Sequence, residues 1–128
     1  MKVTITTIPH DKQRYDTVGD WETGPRVNEF WIKVSQMSDW RYEFLVGIHE
    51  AVEAALCHHR GITEEEVTAF DKKFDEEPPE GKWPGVEPGD SPDAPYRKEH
   101  FFATTIERLI AAELGVDWNT YDDEVESL

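Results

Sequence analysis

Between Lys2 and Ile8 the chain reads KVTITTI, with β-branched residues on near-alternate positions until Pro9 interrupts the run. A period of two places successive side chains on opposite faces of a pleated strand. Two further β-like stretches follow, Arg14 to Glu22 and Glu29 to Gln36, separated by Thr23-Gly24-Pro25-Arg26. Gly and Pro at that spacing predict a turn, so the two stretches form a hairpin within a small antiparallel sheet. Trp21, Phe30, Ile32 and Val34 share the face expected to be buried, and Trp31 and Lys33 point the other way.

From Trp40 the period changes. Phe44, Leu45, Ile48, Val52, Ala55 and Leu56 recur at helical spacing behind the capping pair Ser38-Asp39, which predicts a helix from about Trp40 to His59 with this stripe on the core. Gly61 stops it, and Thr63-Glu64-Glu65-Glu66 has the form of a capping box for a second helix. Val67, Phe70 and Phe74 would turn that helix onto one edge of the core. The segment 76–95 carries six prolines and three glycines, so it reads as a long loop, a lid for which Trp83 is the docking residue. Tyr96 to Leu114, closed by Gly115, forms a third helix with Phe102, Ile106, Leu109, Ile110 and Leu114 as its core stripe. Trp118 and Tyr121 are anchors, and residues 122–128 read as a frayed tail. The pattern predicts a single α+β domain over residues 1–128, about three antiparallel strands packed against three helices.

The formal net charge of -15 excludes nucleic-acid binding driven by phosphate neutralisation and disfavours anionic membrane surfaces. Cys57 is the single cysteine, no stretch resembles an export signal, and nothing approaches 18 consecutive apolar residues. A reducing cytoplasm is the expected setting. An acidic surface can also imitate DNA or attract a basic partner.

Chemistry concentrates on the first helix. His49 and Glu53 stand four residues apart, so on a helix they share a face and can grip one ion; Glu50 follows the histidine directly. The helical projection sets His49 and Glu53 on the shoulder of the apolar stripe. His100, Thr104, Glu107 and Ala111 make a corresponding flank stripe on the third helix. If the flanks face each other, His49, Glu53 and His100 supply two nitrogens and one or two oxygens, a set suited to Zn²⁺ and also to Mn²⁺ or Fe²⁺. Three protein ligands leave a position for water, with Glu50 as general base and Glu107 as partner of His100 or a fourth ligand. Asp71 offers one more carboxylate, and the stretch Glu29 to Gln36 an edge for strand addition by a peptide. His58 and His59 are explained by the helix C-terminus.

The order of small sheet, His49-Glu50 helix and later ligand helix resembles a minimal zincin-type metallopeptidase. His49 and Glu50 match that family's first ligand and general base, His100 its third ligand, and Glu53 stands where the family has histidine. The chain is also similar over most of its length to small uncharacterised proteins of bacteriophages and prophages. The segments Asp16 to Trp21, Ile48 to Ile62 and Pro88 to Trp118 carry that likeness, which implies a viral protein acting in a bacterial cytoplasm. The expected function is a zinc-dependent, peptidase-like hydrolase of a peptide or small molecule. The alternatives are an acidic factor that blocks a host DNA-binding or defence protein, and a structural metal that ties two helices.

Overall fold

The computed structural model describes residues 1–78 and 85–128, and in it three strands and four helices enclose one core. The expected lid residue Trp83 lies outside the described residues. Strands β1 (Lys2–Ile8), β2 (Gly19–Thr23) and β3 (Glu29–Ser35) form a sheet of order β1-β3-β2. The hairpin is present, with Thr23 opposite Phe30 and Gly19 opposite Val34. The sheet is mixed rather than antiparallel, because β1 runs parallel to β3 from Lys2 beside Glu29 to Ile8 beside Ser35.

The reason lies in the segment between β1 and β2. Residues 14–18 are not strand. They belong to an arch that crosses the end of β3 and is pinned to buried Ser35 there. The Ser35 hydroxyl meets His10 Nδ1 at 2.9 Å and Gln13 Nε2 at 3.1 Å, and Val18 accepts from the Ser35 amide at 2.8 Å. The arch leaves a slot between β1 and β2 that β3 fills. With β3 central and paired on both sides, it has no free edge, so strand addition at Glu29 to Gln36 is ruled out. Trp21, Phe30, Ile32 and Val34 are buried, and Trp31 is exposed, as the alternation requires.

Helix α1 (Trp40–Arg60) starts at Asp39, whose side chain accepts from the Arg41 amide, and ends at Gly61 with φ 73°. Helix α2 (Glu64–Glu76) is capped by Thr63. Helix α3 (Arg97–Glu113) is followed by α4 (Trp118–Ser127), which replaces the expected frayed tail. Asp117 caps α4, Tyr121 buries its ring, and Glu124 accepts from both the amide and the hydroxyl of Ser38 at 2.6 Å.

Helices α1 and α3 pack antiparallel and are tied at both ends. Arg60 pairs with Glu99 at 2.9 Å, and Arg41 donates to the Leu114 carbonyl at 3.2 Å. The faces they turn inward differ from those expected. On α1 the buried residues are Leu45, Val46, Gly47, His49, Glu53, Ala54 and Cys57, while Phe44 and Ala55 are exposed. On α3 the buried residues are Glu99, His100, Ala103, Glu107 and Ala111, while Phe102 is 49% and Leu109 62% exposed. The polar flank of each helix is its interior face. Among the described residues no helix is long and apolar enough to cross a membrane.

Candidate metal centre

One turn of α1 separates His49 from Glu53, so both side chains leave the helix on the same side. Antiparallel packing sets His100 against them. His49 Nε2 lies 3.1 Å from His100 Nδ1 and 3.4 Å from Glu53 Oε2, and His100 Nδ1 lies 3.1 Å from that same oxygen. Two donors bonded to one tetrahedral zinc at about 2.0–2.1 Å stand about 3.3 Å apart, so the triangle of candidate ligand atoms fits a single ion. All three residues are buried.

The outer atom of each candidate ligand is held from behind. His49 Nδ1 is 2.8 Å from Glu107 Oε2, and the other Glu107 oxygen accepts from the buried Tyr121 hydroxyl. Glu107 therefore partners His49, not His100 as expected from the sequence. The Trp21 indole N–H donates to Glu53 Oε1 at 3.1 Å. His100 Nε2 faces Glu87 Oε2 at 3.2 Å and Asp90 Oδ1 at 3.4 Å, which are ion-pair distances without the alignment of a hydrogen bond. Asp90 ends the 3₁₀ turn Pro88–Asp90 and Glu87 caps it, in the described part of the expected loop. A Cβ on Gly89 would overlap the His100 imidazole, so only glycine lets this turn close over the ring.

Without an ion, the cluster is held together by protons. Burial disfavours the cationic form of His49, but hydrogen bonds with Glu107 and Glu53 outweigh it and raise its pKa. His100 is pushed up to about 12: burial opposes the cation, while Asp90, Glu53 and Glu87 stabilise it more strongly. Burial would raise Glu53, yet the two imidazoles pull it down to about 2. A metal ion held by the inner nitrogens would take the place of those protons.

Around the cluster lies a cavity of about 660 Å³. Glu50, half-buried, lines it beside the triad, and burial together with the charge of Glu53 raises its pKa. Carboxylates dominate the lining, and Arg108 is the one guanidinium or ammonium group among the described lining residues.

A second polar group forms another part of the wall. Asp71 on α2 is buried; the Tyr96 hydroxyl donates to its Oδ1, and the Tyr15 hydroxyl donates to its Oδ2 at 3.0 Å. Burial raises the Asp71 carboxyl to about 7; the hydrogen bonds from Tyr96 and Tyr15 lower it only in part, and repulsion from Glu53 and Asp75 adds to the rise. Asp20, by contrast, has its own cation, with Arg14 at 2.7 and 2.9 Å.

The structure thus brings together His49, Glu53 and His100, with Glu107 behind His49 and Glu50 on the same cavity. Sequence reading missed the polar roles of Trp21 and Tyr121, which read as a core and an anchor residue, of Tyr15 and Tyr96, to which it gives no role, and of Glu87 and Asp90 in the loop. The spacing of four between Tyr96 and His100 was the one local signal available for any of them. No family model, curated protein or solved structure matches this chain.

Proposed function

We propose that this protein is a divalent-metal-dependent hydrolase, with Zn²⁺ as first choice and Mn²⁺ or Fe²⁺ as alternatives, acting on an amide bond in a peptide-like substrate. The observation that carries the reading is the convergence of His49 Nε2, His100 Nδ1 and Glu53 Oε2 at 3.1–3.4 Å, each with its outer atom facing a partner. Glu107 accepts the Nδ1 proton of His49 and so fixes the tautomer that presents Nε2 inward. Glu87 and Asp90 place negative charge beside His100 Nε2 at 3.2 and 3.4 Å, which favours the proton on that nitrogen and leaves Nδ1 for the ion. Trp21 occupies one Glu53 oxygen and directs the other to the centre.

When bound, such an ion supplies an acidified water and a Lewis acid for the carbonyl. Three protein donors facing a cavity form the open arrangement of a catalytic zinc, as opposed to the closed shell of a structural one. Glu50 takes the proton of the attacking water on a carboxylate oxygen and returns it to the leaving nitrogen. The peptidase-like part of the proposal draws on the zincin-like order of sheet, His49-Glu50 helix and later ligand helix. The alternative of an acidic factor that blocks a host protein draws on the net charge of -15. Carboxylates crowding the cavity around the triad favour a cation there instead.

The test is metal analysis of protein purified without chelator, with zinc titration and thermal melts. About one ion per chain, lost in His49→Ala, is expected; no ion and no zinc-induced change in Tm overturns the proposal. Glu50→Gln should keep the ion and lose hydrolysis of a peptide library. Zinc bound without hydrolysis by the unmodified chain would reduce the site to a tie between α1 and α3.

A further inference from the structure

The Asp71 group has features that a purely structural carboxylate does not need. Its side chain is buried, yet the described contacts of its oxygens are two neutral phenols, with no guanidinium or ammonium among them. A buried anion satisfied in its hydrogen bonds but not in its charge costs free energy that a cation in contact would recover. Asp20, 3.4 Å from the same Tyr15 hydroxyl, shows the paired version of such a carboxylate in this fold, since Arg14 neutralises it.

Tyr15, Asp71 and Tyr96 line the same cavity as the candidate metal ligands. Tyr96 bridges the two groups, its hydroxyl on Asp71 and its ring edge-on to the His100 imidazole at 6.1 Å between centroids. Aromatic walls tolerate a cation, and the Lys72 ammonium, 5.9 Å from the Tyr15 ring centroid, already uses the outside of this group in that way. The lining carries many more carboxylates than cations, with Arg108 as its one guanidinium or ammonium group among the described residues, and so repels anions.

We infer that Asp71, with Tyr15 and Tyr96, forms a subsite for a positively charged group, so that the substrate is a peptide or amide carrying an alkylammonium or guanidinium near the bond to be cleaved. This rests on the hydrolase reading for the reaction and on the Asp71 geometry for the specificity. Each Asp71 oxygen keeps a lone pair after accepting one phenol hydrogen bond, and an ammonium with three donors can use both. The phenols hold the carboxylate in place, and its charge is the determinant.

The test uses the zinc-loaded full chain and three probes, N-acetyl-lysine amide, N-acetyl-norleucine amide and N-acetyl-glutamate amide, titrated by calorimetry. The lysine probe should bind about tenfold or more tightly than the norleucine probe, and the glutamate probe should be weakest. Asp71→Asn should erase the lysine preference and leave zinc stoichiometry unchanged; Tyr96→Phe, which keeps the charge, should retain part of it. Equal affinity for lysine and norleucine probes, or a preference that survives Asp71→Asn, overturns the inference. Should Asp71→Asn not fold, Asp71→Ser, which also removes the charge, takes its place, and an undiminished preference in that variant counts against the subsite. If the chain holds no zinc, the hydrolase reading fails on its own, and the same titration of the metal-free chain still decides the subsite.

Discussion

Glu53 and Asp71 are two buried carboxylates on one cavity, and they titrate in opposite directions. Glu53 is drawn down to about 2, whereas Asp71 is pushed up to about 7. Both are almost fully removed from water, so burial raises each of them. Both also accept hydrogen bonds at both oxygens. The difference is the charge of the donors. Glu53 faces imidazoles that its own presence helps to protonate, while Asp71 faces phenols whose pKa values burial and the neighbouring carboxylate raise further. Satisfying a carboxylate's lone pairs and neutralising its charge are separate tasks, and among the described residues only the first is done at Asp71. The Glu53 end is therefore built around positive charge already in place, and the Asp71 end around positive charge still to arrive.

The strongest way to break the contrast is Glu53→Gln. It leaves two imidazoles facing a neutral amide, and breaking a buried ion pair from one side typically costs about 3–5 kcal/mol. Urea denaturation at pH 7 should show a loss of that order, and zinc affinity should fall by about 100-fold or more. A loss under about 1 kcal/mol would mean that the imidazoles are not charged in the metal-free protein.

Next in size is the pH dependence. The folded Asp71 carboxyl titrates above its unfolded value of about 3.9, so the native state binds that proton more tightly. Its stabilising contribution is full below about pH 4 and is lost as the pH rises through about 7. Glu53 behaves in the opposite sense, its contribution being full above about pH 4.3 and lost as the pH falls toward 2. Urea denaturation of metal-free protein at pH 5 and pH 8 should show the stability difference between wild type and Asp71→Asn shifting by about 2 kcal/mol in favour of the variant at the higher pH. An unchanged difference would place the Asp71 carboxyl in the ordinary range.

A finer comparison uses two phenols. Tyr121→Phe removes the donor behind Glu107 and should weaken zinc binding about tenfold, while Tyr96→Phe should leave zinc affinity within about twofold. Equal effects in competition titrations with a zinc indicator would erase the division between the two ends. The smallest effect is expected outside the cavity. Leu109 is 62% exposed, and Leu109→Ser should change stability by no more than about 0.5 kcal/mol. A loss of about 2 kcal/mol or more would mean that the α3 apolar stripe is covered in solution.

That last residue shows where the sequence misleads. Local features were legible: the alternation that buries Ile32 and Val34, the Asp39 and Thr63 caps, the stop at Gly61, and the hairpin between β2 and β3. Each depends on interactions within a few residues. The parallel pairing of β1 with β3 depends on Ser35 receiving His10 and Gln13 from more than 20 positions away, and no period in the chain records that. Helix α4 escaped notice because the sequence DDEVES is too polar to announce a helix, and only the burial of Tyr121 and the contact between Ser38 and Glu124 fix it.

The sequence by itself determined which side chains share a face, His49 with Glu53 on one helix and His100 with Glu107 on another, because 3.6 residues per turn is a property of the backbone. It did not determine which face turns inward. Apolar spacing pointed to Phe44, Phe102 and Leu109, and these are exposed, while the charged flanks are buried. Burying a lone carboxylate or imidazole is costly, so nothing within either helix could signal that choice. It becomes favourable only when Glu107 meets His49, Trp21 meets Glu53 and His100 meets both helix partners, and those meetings exist only in the assembled fold.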